Sequence, residues 1–277
     1  MDIKEFIALA KQEDIKDGDH STLACIPADA VGSAQLLVKE NGIIAGVEIA
    51  RQLFNAFDST FIFHQLINDG ENVKPGDIVF KIEGSSRSLL SVERLVLNVM
   101  QRMSAISTLT NKYVVALNGL NTKVLETRKT TPLIRFLEKE AVLIGGGKNH
   151  RMGLYDMIMI KDNHIDFAGG IEKAIVKTKE YLNRNNLNLE IEVETRNLLE
   201  VNEVLKVGGV DRIMLDNFNY EDLRKAVKLI NGKYKTEASG GITLDTIRNY
   251  AECGVDFISV GALTHSVNNL DLSLKAC

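Results

Sequence analysis

LEIEVETRNLLEVNEVLKVGGVDRIMLDNFNYEDLRKAVKLI, residues 189–230, sets down a short β-rich run, then an amphipathic helical run, and then repeats the pair. Outward from this stretch the alternation continues on both sides. Upstream it runs through TKVLET with LIRFLEKEAVLI and DMIMI with IEKAIVKTKEYL; downstream through KTEAS with TLDTIRNYAECG, closing on DFISVG. Strands that alternate with helices pair in parallel, because a right-handed helical crossover returns the chain to the same end of the sheet. Six strands are too few for a complete eight-stranded barrel, so the series predicts an open, incomplete (β/α) barrel.

The first half has a different rhythm. GSAQLLVKENGIIAGVEIA and TFIFHQLINDGENVKPGDIVFKIEGSS carry Asn-Gly, Asp-Gly and Pro-Gly punctuation and read as a small, mostly antiparallel sheet. SVERLVLNVMQRMSAISTLTNKYVVALN follows with Leu95, Val99, Met103 and Ile106 at helical spacing, a long helix joining the halves. The expected division is α/β throughout: residues 1–114 as an N-terminal domain with its linking helix, and 115–265 as the barrel. The tail 266–277 is expected to return to the first domain. The charged N-terminus, MDIKEFIALAKQEDIKDGD, reads as an amphipathic surface helix and lacks the apolar run of a signal peptide or membrane span.

Composition narrows the function. A formal charge of −4 with no basic stripe offers nucleic acid no general attraction, and three distant cysteines form no metal or disulfide pattern. The expectation is a cytoplasmic enzyme with no membrane or nucleic-acid partner. In a parallel α/β fold, chemistry gathers where strands end. The residues following the apolar runs are Arg128 and Lys129, Lys161, Glu194, Asp216, Ser239 with Gly240 and Gly241, and Gly261; His150 and Arg151 follow the glycines 145–147. Arg and Lys neither form turns nor cap helices, and a ring of them repels itself unless an anion lies between. SGGIT and SVGALT add backbone N–H groups suited to phosphate. Glu194 and Asp216 could orient ribose hydroxyls or hold Mg²⁺. Glu190, Glu192 and Glu194 share a strand face, the first two being expected in salt bridges.

The blocks DGDHST, ERLVLNVMQRMSAIST, ETRKTTPLIRFLEKEAV, GGGKNHRMGLYDMIMIKDNHI, IEVET, IMLDNF, EASGGITLDTI and ISVGALTHS together resemble the quinolinate phosphoribosyltransferase family over nearly the whole chain. The resemblance implies an N-terminal α/β sandwich with an open C-terminal barrel, the type II phosphoribosyltransferase fold. It implies phosphoribosyl transfer from phosphoribosyl pyrophosphate to quinolinate with decarboxylation, in NAD biosynthesis. Substrate-binding positions carry over to Arg102, Thr127, Arg128, Lys129, His150, Arg151, Lys161, Ser239, Gly240, Gly241, Val260, Gly261 and Ala262. Lys129, Lys161, Glu194 and Asp216 are the implied catalytic group, and the two carboxylates the implied Mg²⁺ ligands. A homodimer is implied as well, with Arg102 reaching the neighbour's quinolinate. Two other readings stand beside this one. The first is a nicotinate-type or molybdenum-transport-associated paralogue on the same fold; the second is a biotinyl- or lipoyl-like carrier module, prompted by VKPGDIVFKIEG.

Overall fold

The computed structural model describes residues 1–277, which divide into two compact units. The first comprises residues 1–111, 130–146 and 263–277. Its opening helix, α1 (Ile3–Asp14), begins on a capping box in which Asp2 and Glu5 each accept the other's backbone N–H. Helix α2 (His20–Cys25) is capped in the same unit by Asp19. Strands β1 (Val31–Val38), β2 (Gly42–Ile43), β3 (Ile62–Gln65), β4 (Asn72–Val73) and β5 (Ile78–Ser85) follow. β1 lies between β5 and the C-terminal strand Leu272–Ala276, β3 pairs on the far side of β5, and all pairs are antiparallel. β2 and β4 form a separate two-stranded ladder. VKPGDIVFKIEG runs from the last residue of β4 through most of β5, and these two strands lie in different sheets and do not pair with each other.

One element of this unit was not expected. GVEIARQLFNAF, read with the strands, forms helix α3 (Val47–Phe57), with Val47, Ala50, Leu53 and Phe54 buried along one stripe. Local propensity for Val-Glu-Ile is mixed. The decision comes from Asp69, which accepts the free N–H groups of Val47 and Glu48, and from Phe80 and Phe61, whose rings meet Phe54 edge-on. Helix α4 (Ser86–Ala116) contributes its residues to 111 here and buries Met100, Met103 and Ile106 in the same core as Leu36, Val38 and Phe80.

The second difference concerns α5 (Arg135–Ile144), expected as a barrel helix. Residues 130–146 belong instead to the first unit. Leu137, Ala141 and Val142 join its core, and the Ser107 hydroxyl of α4 donates to the Ala141 carbonyl at 2.7 Å. Gly145 explains the close approach: a Cβ there would stand 2.5 Å from the Ser107 carbonyl oxygen. The second unit comprises residues 112–129 and 147–262.

This second unit holds β6 (Lys123–Leu125), β7 (Ile158–Ile160), β8 (Ile191–Thr195), β9 (Arg212–Asp216), β10 (Lys235–Ser239) and β11 (Phe257–Ser259). All neighbours are parallel, in the order β6-β11-β10-β9-β8-β7. The consecutive strands β6 and β7 therefore lie at opposite edges of the sheet, and the barrel is left open between them. Helices α6 (Asp162–Ala168), α7 (Ile171–Asn185), α8 (Leu198–Val207), α9 (Tyr220–Ile230) and α10 (Ile247–Ala251) fill the crossovers. Asn197 and Asn219 cap α8 and α9 by accepting the N–H groups of Glu200 and Asp222. No helix is long and apolar enough to cross a membrane.

Candidate active site

The two faces of the parallel sheet differ in chemistry. Side chains alternate along each strand, and the register places Glu192 opposite Arg212 and Met159, Glu194 opposite Met214, Glu237 opposite Met214, and Ser239 opposite Asp216. These residues share one face, continued by Phe257 and Ser259 on β11. The other face carries Val193, Ile213, Leu215, Ala238 and Ile258, all fully buried. One side of the sheet is thus apolar, and the other is charged from its middle to the carboxyl ends of its strands.

At those ends the expected residues gather in three groups. Lys161, immediately after β7, directs its Nζ to Glu194 Oε2 at 3.2 Å, and its own N–H donates to His164 Nδ1 at the start of α6. On β9 and β10, the Ser239 hydroxyl donates to Asp216 Oδ1, and Asn217 donates to Asp216 Oδ2 at 2.6 Å. Gly240 and Gly241 then turn with φ of 98° and 60°. A Cβ on Gly240 would lie 2.2 Å from Asn217 Oδ1, whereas one on Gly241 meets nothing within 4 Å. The first glycine is required by packing, and the second faces open space. Arg128 and Lys129 are exposed beyond β6, with the Lys129 N–H donating to the Thr127 hydroxyl.

Arg151 completes the third group. Its guanidinium donates to the Met157 carbonyl at 3.3 Å, and burial followed by the positive charge of Arg128 draws it below the ordinary arginine range. Two guanidiniums close enough to repel are what the anion argument requires. Val260 is buried, its N–H donating to the Leu125 carbonyl, and it fixes Gly261 and Ala262 beside the end of β6.

His150 takes a different place from its neighbour. Its side chain is 5% exposed and points into the polar interior, with Nε2 3.0 Å from Glu192 Oε2 and 3.5 Å from Glu237 Oε2. Its N–H donates to Glu126 Oε1 at 2.8 Å, and its Nδ1 accepts the Arg151 N–H at 2.7 Å. Arg212 donates to Glu237 Oε2 at 2.7 Å and covers the Phe257 ring at 4.4 Å. Burial opposes a charge on the imidazole and the two carboxylates favour one, which raises His150 above the ordinary histidine range, while the Arg151 N–H on Nδ1, a bond that only the singly protonated ring accepts, opposes the second proton. Nδ1 can take a second proton only by releasing the Arg151 N–H, so the geometry seen is that of a ring with its proton on Nε2. Glu192 is pushed up to about 7 by burial and by Glu237. Glu237 is held below the ordinary range, because His150 and Arg212 overcome its burial.

Glu192 is within ion-pair distance of His150, the kind of structural contact expected of it. Glu190 is not: it is exposed one residue before β8 and forms no ion pair. The buried carboxylates Glu126 and Glu237, with the half-buried Arg212, were missed. Their only signal was acidic and basic residues recurring at every second position of β-rich runs, which solvent-facing strands also show.

Arg102 lies in the first unit, on α4. Its Nε and Nη2 donate to the buried Glu138 at 3.1 and 2.8 Å, and Nη2 also meets Thr131 and the Thr264 carbonyl. Nη1 takes no part in these bonds. For a divalent cation, Glu194 and Asp216 offer oxygen donors on adjacent strands and one face, which suits Mg²⁺ completed by phosphate and water.

Residues 19–104 and 106–275 match the family models for the N-terminal and C-terminal domains of quinolinate phosphoribosyl transferase. The chain is 47% identical to "Quinolinate phosphoribosyltransferase [decarboxylating] 1b" of Nicotiana tabacum, over 99% of this chain and 82% of that protein. It is 42% identical to a probable nicotinate-nucleotide pyrophosphorylase [carboxylating] of Bacillus subtilis, over 95% and 89%. Among solved structures it is similar to NadC from Streptococcus pyogenes, with a TM-score of 0.93, 40% identity, and 99% and 95% of the two chains covered.

Proposed function

The chain belongs to the quinolinate phosphoribosyltransferase family, and from that premise we propose that it transfers phosphoribosyl from phosphoribosyl pyrophosphate to quinolinate, releasing CO₂ and pyrophosphate and forming nicotinate mononucleotide for NAD biosynthesis. The observation that carries the proposal is the charged face. Arg128 and Arg151 stand close enough to repel at one end of the barrel, and Lys161–Glu194 and Asp216–Ser239 lie on the neighbouring strand ends.

Both substrates are polyanions, so bringing them together requires dense positive charge. Arg128 and Arg151 bind the pyridine dicarboxylate, while Ser239, Gly240 and Gly241 receive the 5′-phosphate through hydroxyl and backbone N–H. The ring nitrogen attacks the anomeric carbon as its bond to the pyrophosphate oxygen breaks, and Lys129 and Lys161 stabilise the charge on that leaving oxygen. The nitrogen is now positive. The bond from C2 to its carboxylate then breaks, CO₂ leaves, and the electron pair stays at C2, stabilised by the adjacent cationic nitrogen until a proton from water replaces it. Glu194 and Asp216 would hold Mg²⁺, which when bound neutralises pyrophosphate charge; the same carboxylates orient the ribose hydroxyls. Arg102 serves the active site of a second copy in a homodimer, using the Nη1 that Glu138 leaves over. A cytoplasmic location fits three cysteines without a disulfide.

The deciding assay supplies quinolinate, phosphoribosyl pyrophosphate and Mg²⁺ and measures nicotinate mononucleotide and CO₂ together. Equal release of both is expected. Nucleotide formed from nicotinate at a comparable rate, with no CO₂ from quinolinate, would transfer the chain to the non-decarboxylating reading.

A further inference from the structure

Beneath the anion-binding rim lies a layer of charge that the reaction does not touch. Glu192 and Glu237 are both fully buried, on β8 and β10, and they flank the Nε2 edge of His150. Neither Glu192 oxygen completes an aligned hydrogen bond, so its hold on the ring is electrostatic. Burying two carboxylates is costly unless they constrain something. What they constrain is visible at the other ring nitrogen. With the proton drawn to Nε2, Nδ1 has a lone pair for the N–H of Arg151.

We propose that Glu192 and Glu237 are positioning residues for dicarboxylate recognition: they fix the tautomer and tilt of His150, and His150 in turn fixes the backbone that presents the Arg151 guanidinium. Arg212 belongs to the same device, because its bond to Glu237 Oε2 holds that carboxylate against the ring. The layer acts on the acceptor and not on the phosphoribosyl donor, since it shares no hydrogen bond or ion pair with the phosphate-binding turn 239–241. His150, Glu192 and Glu237 could gather a metal ion, since their ligand atoms lie within 4.8 Å of one another. Charge argues otherwise, as Arg212 already neutralises Glu237 and Nε2 carries the proton.

The proposal rests on the quinolinate reading and can be tested apart from it. The ring nitrogens of His150, assigned in ¹⁵N-histidine-labelled protein by comparison with His150→Asn, should show a protonated Nε2 and an unprotonated Nδ1. Glu192→Met removes the charge at similar volume and should raise the KM for quinolinate by roughly tenfold or more, leaving that for phosphoribosyl pyrophosphate within about twofold. Glu192→Gln removes the charge at unchanged shape and leaves only an amide dipole toward Nε2; it should fold and raise the quinolinate KM several-fold, by less than Glu192→Met does, with that for phosphoribosyl pyrophosphate within about twofold. If the Met variant does not fold, the Gln variant and the wild-type spectrum decide. A proton on Nδ1 in the wild type, equal changes in both KM values, or a stoichiometric metal lost on Glu192→Met would each overturn the proposal. A wild type inert toward quinolinate would remove the functional reading, while the nitrogen spectrum would still decide how the ring is held.

Discussion

Replacing Arg212 with Leu removes the partner of a carboxylate that has no exposure at all. Glu237 is 0% exposed, Arg212 meets it at 2.7 Å, and the Arg212 side chain is itself only 14% exposed. Breaking a buried pair from one side strands the other charge, at a cost of about 3–5 kcal/mol. At about 2–4 °C per kcal/mol for a chain of this size, the melting temperature should fall by roughly 6–20 °C. The sign of the pH dependence follows from Glu237. Its folded carboxyl is held below its ordinary value, so wild type gains stability from it above the unfolded value and loses that gain as pH falls through the folded one. In Arg212→Leu the carboxyl titrates upward and can be buried neutral. The deficit should therefore be largest near neutrality and shrink toward pH 5. Urea unfolding of both proteins at pH 7.5 and pH 5 measures the two differences. A loss under about 1 kcal/mol at pH 7.5, or a deficit that grows on acidification, would refute the reasoning.

Gly240→Ala should cost at least about 1–2 kcal/mol from its positive φ alone, and more from the collision with Asn217, with a matching rise in the KM for phosphoribosyl pyrophosphate. Lys129→Ala should lower kcat by roughly 10²–10³ with an unchanged melt, read by nucleotide release; near-normal turnover would remove it from the leaving-group role. Chelation of divalent cations should abolish turnover, and Mg²⁺ should restore it; activity that persists through chelation would free Glu194 and Asp216 from metal binding. Arg102→Ala and Lys161→Ala are each expected to be nearly inactive, but mixed subunits should recover activity in the hybrid dimer. No recovery would confine Arg102 to the Glu138 pair of its own chain.

The barrel strands were legible because each short β-rich run ends in a polar residue that cannot continue the buried face: Lys161 after β7, Asp216 closing β9. α3 was not, since its Val-Glu-Ile start fits either state and Asp69, the residue that caps it, lies well downstream. α5 was legible as a helix but not as to its owner. Nothing in LIRFLEKEAVLI says that Ala141 will meet Ser107. The rim could be read for a similar reason, because Arg and Lys are anomalous in βα turns. Glu192, Arg212 and Glu237 are ordinary on any half-solvated strand, and only the register that turns their face inward makes them unusual.

The gap between β7 and β6, where β6 carries only a single bridge from Leu125 to Lys148 on its outer side, bears on that hidden layer. The lumen of a barrel widens with strand number, and about eight strands are needed before side chains fit comfortably inside. Six strands stitched into a ring would grip too narrow a bore for an imidazole, a guanidinium and two carboxylates. Left as a hoop with a gap, the sheet can relax its curvature around them. The missing seam is what gives a six-stranded wall the girth of a larger one.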